Sequence, residues 1–282
     1  MENILQQVIE LARALNPLGM QPMICGGLGV YLRFFQNEIA ESGLLRVTKD
    51  IDLMLTRQEI LAQTKRTAIH EAITVKLGYK RRSDIEGCYF RFMKEQSDIP
   101  QELDILCPPI EGAEGVQIVG NRMKLIRHQM HGRLTPEACF IEEDAKLITL
   151  YDESAGEVNI RVPSPTNLLI FKLYAFRDRM ERNNPERAQA HAWDIYAIIT
   201  LVDRNDFEQG QKFLHTHADS DIVRVSQEIV RNIFPSIYSQ GWLALLQTSE
   251  FFPDRSIQKR RLIVTNARKR LLRWFGIEEP TE

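Results

Sequence analysis

The stretch Arg46-Val47-Thr48-Lys49-Asp50-Ile51-Asp52-Leu53-Met54-Leu55 constrains this chain most. Its apolar residues call for a buried strand. On a strand, side chains alternate, so Asp50 and Asp52 share one face while Ile51 and Leu53 share the other. A strand buried on its apolar face therefore holds two aspartates side by side. Adjacent carboxylates repel each other, and protonation or a bound cation relieves the repulsion. Hard oxygen donors of this kind suit Mg²⁺, especially where phosphate oxygens complete the coordination shell.

The sequence upstream carries a complementary feature. Met23-Ile24-Cys25 is a short apolar run that ends in Gly26-Gly27. A helical pattern follows through Leu28, Val30, Tyr31, Leu32, Phe34 and Phe35. The order is strand, glycine pair, helix. Glycines at that point let backbone N–H groups approach a triphosphate at a helix N-terminus, where the dipole favours anions. Downstream, Glu102-Leu103-Asp104-Ile105-Leu106-Cys107 alternates and ends at Pro108-Pro109. This predicts a third strand with its own carboxylate, Asp104. Glu102 shares its face and is the alternative ligand. Three carboxylates facing one point would hold metal ions against a triphosphate.

The remaining elements follow from periodicity. Residues 2–15 and 57–77 predict helices, with Asn16-Pro17 and Gly78 as stops. Residues 79–82 and 88–93 predict short strands, 121–131 a helix, and 138–162 a small β-meander. From Ser164-Pro165-Thr166 onward the pattern is helical, with segments at 165–180, 186–202, 206–217, 220–233 and 255–274. The change from mixed to all-helical near residue 163 predicts a domain boundary.

With 282 residues and 44% hydrophobic composition, the chain can bury one large core or two modest ones. The formal net charge of −2 neither demands nor excludes nucleic acid, so local charge decides. The four cysteines, Cys25, Cys88, Cys107 and Cys139, form no CxxC pair, which argues against zinc or redox motifs. Cys25 and Cys107 read as buried thiols of a reducing compartment. The N-terminus reads as an amphipathic helix rather than a signal peptide, and no apolar run reaches bilayer length. The expectation is a cytoplasmic protein with no membrane partner. His128 and His131, and His215 and His217, lack a third ligand and read as surface residues. No Walker-type loop or GxSxG elbow is present.

The glycine pair, the Asp-x-Asp and the later strand aspartate resemble the nucleotidyltransferase superfamily. Arg46 to Leu53 is similar to the second motif of its AbiEii-type branch, the nucleotidyltransferase-like toxins of bacterial toxin–antitoxin systems. Lys172-Leu173-Tyr174-Ala175-Phe176-Arg177 resembles that branch's helical lysine motif, and Trp193-Asp194-Ile195-Tyr196 its helical aspartate motif. The resemblance covers roughly residues 20–200. Where Gly-Ser is frequent in the superfamily, this chain has Gly26-Gly27.

The resemblance implies an α/β (α+β) fold, with a mixed-sheet nucleotidyltransferase-like domain over 1–163. A helical domain over 164–282 would complete the active-site cleft. It implies metal binding by Asp50, Asp52 and Asp104, with Mg²⁺ or Mn²⁺ as the ion. It places Gly26, Gly27, Thr48 and Lys172 at the NTP, and adds Lys172 and Asp194 to the catalytic carboxylates. The implied reaction moves an NMP from an NTP to an acceptor hydroxyl, with tRNA as acceptor and a cognate antitoxin as protein partner. Taken alone, Lys172 also reads as a lysine snorkelling from a helix flank. The run Arg255 to Arg273 carries eight basic residues and no acid, and is either a solvated helix face or a phosphate-contacting surface for RNA. Two other readings stand beside this one. They are nucleotidylation of a small molecule such as an aminoglycoside, and a non-catalytic nucleotide- or partner-binding module.

Overall fold

The computed structural model describes residues 2–35, 44–46, 48–82, 89–95, 100–110, 115–126, 130–153 and 156–279. The chain is mixed α/β and divides into two compact units. One comprises Met1–Arg33 and Val47–Ser164, the other Phe34–Arg46 and Pro165–Glu282.

The first unit is built on a ten-stranded mixed sheet. Helix α1 (Glu2–Leu15) leads through a 3₁₀ turn into strand β1 (Met23–Ile24) and helix α2 (Gly26–Phe34). Strand β2 (Asp50–Met54) follows, then α3 (Arg57–Leu61), α4 (Gln63–Glu71) and a single π-turn over Ala72–Lys76. The other strands are β3 (Lys80–Arg81), β4 (Arg91–Lys94), β5 (Gln101–Cys107), β6 (Gln117–Val119), β7 (Arg122–Ile126), β8 (Met130–Leu134), β9 (Lys146–Asp152) and β10 (Gly156–Val162). Their order is β6-β7-β8-β5-β2-β1-β10-β9. The far edge of β5 is shared. β4 pairs with it at Gln101 to Asp104 and β8 at Leu106 and Cys107. β3 extends the β4 side as a hairpin partner. Ile51, Leu53, Phe92, Leu103 and Ile105 are all buried and alternate with the charged residues of their strands, so they form the apolar face. Helix α1 packs against β2 and β10.

Several elements differ from the periodicity reading. Residues 122–126 are strand β7 rather than helix. Met123 and Leu125 are buried and alternate with charged Arg122 and Lys124, which is period two. The helix expected over 57–77 is broken at Ala62, which is extended (φ −86°, ψ 108°). Its first turn is set by a capping box in which Thr56 and Glu59 satisfy each other's backbone N–H groups. Phe140 and Ile141 lie in a turn, so the expected meander is the β9–β10 hairpin, with β10 running parallel to β1. Cys88 and His128 lie outside the described residues.

The second unit is helical: α5 (Pro165–Glu181), α6 (Pro185–Leu201), α7 (Arg204–Thr216), α8 (Asp221–Ile233), α9 (Gln240–Leu246) and α10 (Ile257–Trp274). Side-chain caps start four of these. Asn184, Asp203, Ser220 and Ser256 accept backbone N–H bonds at the first turns of α6, α7, α8 and α10. Helix α9 has no counterpart in the periodicity reading. It is short, and it is held by Trp242, which is fully buried edge-on to Phe234. Gly241 lets it sit close, since a Cβ there would lie 2.1 Å from the Phe234 ring. Among the described residues no helix is long and apolar enough to cross a membrane.

Candidate active site

In the first unit the site begins at the β1–α2 turn. β1 pairs antiparallel with β2, Ile24 opposite Leu53, and Cys25 N donates to Asp52 O at 2.8 Å. Gly26 then takes φ +65°, a left-handed conformation that favours glycine. A Cβ on Gly26 would lie 1.8 Å from Asp52 Oδ2. The turn is therefore folded directly onto the aspartate, and only a residue without a side chain fits. Helix α2 starts at Gly26, so the N–H groups of its first turn, Gly27 among them, have no helical acceptors. Thr48 is buried at the entry to β2, where its hydroxyl donates to Asp50 O at 3.1 Å. That bond shapes the entry to the strand.

The carboxylates are aligned by the sheet. β2 and β5 run parallel with Asp50 opposite Glu102 and Asp52 opposite Asp104. Directly opposed residues share a face, so all four acids lie on the face away from Ile51 and Leu53. The next strand adds a cation that the sequence reading missed. Arg91 lies opposite Asp104 on β4 and forks onto it, with Nε 2.7 Å from Oδ1 and Nη2 2.7 Å from Oδ2. Its Nη1 lies 3.3 Å from Glu102 Oε2, and Arg82 Nη1 lies 3.7 Å from Glu102 Oε1. Nothing in the local sequence around Arg91 signals this, because strand pairing alone brings it opposite Asp104.

This geometry bears on the metal set. Among the described residues no three His, Cys, Asp or Glu side chains converge as a metal-binding group. Asp50 and Asp52 fit a hard cation by chemistry, as paired hard oxygen donors on one strand face. Asp104 is 6% exposed and has an arginine N–H on each oxygen, so it reaches an ion only by sharing or releasing one of them.

The second unit holds the other two expected residues, and here they meet. Lys172 on α5 and Asp194 on α6 are both buried, with Nζ 2.6 Å from Oδ2. Arg46 Nη2 reaches the same oxygen at 3.2 Å. Trp193 Nε1 donates to Leu44 O at 2.8 Å, which holds the segment bearing Arg46 on α6. Burial pushes the Asp194 carboxyl up, but Lys172 and Arg46 more than offset that and hold it below its ordinary value. His191 stands one turn earlier on α6. Burial first, and the Lys172 charge second, pull its pKa down to about 3, so it is neutral at neutral pH. Its Nδ1 and the Arg46 Nε are buried without a hydrogen-bond partner.

Two surface expectations change. His131 is buried and stacks on Tyr89, ring centroids 5.3 Å apart, so it is a core residue and not a surface one. Along α10 the basic run divides. Arg268 is buried and donates to Pro235 O and Glu279. Arg260 points at Leu246 O and Phe251 O, and Arg270 at Thr200 O and Val202 O, the end of α6. These three arginines serve the fold. Arg255, Lys259, Arg261, Lys269 and Arg273 remain exposed.

Compared with protein-family models, with curated proteins and with solved structures, the chain matches none of them.

Proposed function

We propose that the chain is a Mg²⁺-dependent nucleotidyltransferase that moves an NMP from an NTP to an acceptor hydroxyl and releases pyrophosphate. One observation carries this reading. The Gly26 turn, at the head of a helix with open N–H groups, is folded onto Asp52 of an Asp-x-Asp strand. Anion-binding backbone and cation-binding carboxylate thus abut, as an NTP–metal complex requires.

Asp50 and Asp52 would hold the ion, which would neutralise triphosphate charge during transfer. Gly26 and Gly27 would offer backbone N–H groups to the phosphates, and Thr48 would keep β2 in place beneath them. Asp104, oriented by Arg91, would act on the attacking hydroxyl. By the resemblance, Lys172, which pairs with Asp194, would neutralise charge on the NTP. Most of the rate would come from positioning and charge neutralisation. By the resemblance described above, the acceptor would be RNA, with tRNA as first candidate, and the role that of a toxin restrained by an antitoxin.

The Arg91–Asp104 fork favours a second reading. A non-catalytic module of the same fold needs its buried acids neutralised from within, and Arg91 does that. Incubation with Mg²⁺, each labelled NTP and bacterial RNA separates the two. Label on a discrete RNA band, absent for Asp50→Ala/Asp52→Ala, supports the transferase. No label in RNA, protein or small-molecule acceptors with any NTP leaves the binding module.

A further inference from the structure

We propose that the groove around the β3–β4 hairpin binds the phosphodiester backbone of a single nucleic-acid strand. The groove encloses about 530 Å³ in the first unit. Five cations, Lys76, Lys80, Arg81, Arg82 and Lys94, line it beside one carboxylate, Glu95. That balance stands out in a chain whose net charge is −2. Lys94 is anchored by Glu10 at 3.4 Å. Lys76 and Lys80 are exposed, and among the described residues neither forms an ion pair.

Register ties the groove to the carboxylates. Lys80 lies opposite Met93, Met93 opposite Glu102, and Glu102 opposite Asp50. Two residues along, on the same face, Arg82 N donates to Arg91 O at 2.9 Å, and Arg91, Asp104 and Asp52 continue the row. Each step is one strand spacing of about 4.8 Å, so Lys80 and Asp50 stand roughly 14 Å apart on the same sheet face. The face is basic at β3 and acidic at β2 and β5, with Arg82 and Arg91 between. A polyanion is repelled by the four acids and held by the cations. Only an uncharged group at its end, such as a hydroxyl, is free to reach Asp104. Lys80 and Arg82 are two residues apart on one strand, about 6.6 Å by strand rise, which is the scale of successive phosphates on a polynucleotide. The groove is not a closed cavity, which suits a strand that passes through rather than a small anion that is enclosed.

The inference deepens the acceptor half of the nucleotidyltransferase reading, yet binding needs neither NTP nor Mg²⁺. The test is fluorescence anisotropy with a short labelled oligouridylate over a range of salt concentrations. It uses the full chain, Lys76→Ala/Lys80→Ala, and Lys259→Ala/Lys269→Ala on α10. Loss of two phosphate contacts lowers the slope of log K against log salt by roughly 1.4, from about 0.7 per contact on single strands. That reduction is expected for the groove variant, with affinity down at least tenfold at low salt and circular dichroism unchanged. Oligothymidylate is expected to bind in the same way, because the groove reads phosphate. An unchanged slope in the groove variant, or a wild-type chain that binds neither oligonucleotide at low salt, overturns the proposal. A wild-type chain that binds the oligonucleotides with this salt dependence yet transfers no label from any NTP refutes the enzyme reading and leaves the groove intact.

Discussion

Arg91 closes a two-pronged ion pair on Asp104, each nitrogen 2.7 Å from its own carboxylate oxygen, across two adjacent strands of the central sheet. A planar guanidinium matches a carboxylate in this way, and lysine cannot. Asp104 is buried, so removing its partner leaves a charge in a poor environment. Arg91→Ala is expected to destabilise the first unit by ~3 kcal/mol, within the range for breaking buried pairs. Urea denaturation measures this. Added Mg²⁺ should restore more stability to Arg91→Ala than it adds to the wild type, because the cation takes over the guanidinium's role. Equal effects would deny Asp104 any access to an ion.

Gly26 faces two demands, a left-handed backbone and no room for a Cβ. Gly19 faces only the first, with φ +70° and nothing within 4 Å. Gly19→Ala should therefore cost about 1 kcal/mol from backbone strain alone. Gly26→Ala should cost clearly more and should also abolish NTP binding, since the added methyl displaces Asp52. Thermal melts and nucleotide titration of both variants check the difference. Matching losses would mean that the Asp52 contact relaxes freely.

Lys172 and Asp194 are a buried pair with Arg46 as a third, partly exposed member. Lys172→Met should destabilise by ~3–5 kcal/mol, because Asp194 is left with only Arg46. Lys172→Met/Asp194→Leu should cost less than the sum of the single changes. The coupling read from a double-mutant cycle should reach at least ~1 kcal/mol. Additive losses would place the two side chains in separate environments.

Acid should weaken the second unit in two stages. His191 binds its proton at about pH 3 when folded and near pH 6.5 when unfolded. Between those values the unfolded chain holds more protons, so stability rises with pH and falls on acidification. The slope contributed by one such group reaches about 1.4 kcal/mol per pH unit. Asp194, whose folded pKa is also lowered, adds a loss only below about pH 4, as pH falls toward its folded value. Denaturation midpoints between pH 7 and pH 5 should drop for the wild type and flatten for His191→Phe. An unaltered profile in the variant would remove His191 as the source.

The basic residues of α10 should separate by role. Arg268→Ala removes bonds to Pro235 O and Glu279 from a buried position and should cost ~1.5–3 kcal/mol. Lys269→Ala, one residue on and exposed, should stay within about 0.5 kcal/mol of wild type. Thermal melts of the two variants compare them directly, and equal losses would contradict the assignment.

Much of this was legible in the chain because it is local. Alternation placed Asp50 and Asp52 on one face, and Asp104 among apolar neighbours on a strand. The glycine pair marked the turn, and Ser164-Pro165 marked the start of the helical run. Where local pattern failed, it failed for physical reasons. Residues 122–126 hold too few apolar side chains to separate period two from a helical turn. Helix α9 is too short to show a period at all, and it is held by tertiary contacts such as Phe234–Trp242 and its packing on α6.

Sequence by itself determined which side chains can carry charge into a buried strand or helix, since alternation and helical spacing are properties of neighbouring residues. Tertiary structure alone decided how those charges are answered. Arg91 reaches Asp104 through strand register, and Arg46 joins Lys172 on Asp194 although 148 residues separate Arg46 from Asp194. His191 is neutral because burial and the Lys172 charge disfavour its cation, and three arginines of α10 donate to backbone carbonyls that only folding brings near. Ion pairing and desolvation depend on distance in space, and no spacing along the chain encodes that distance.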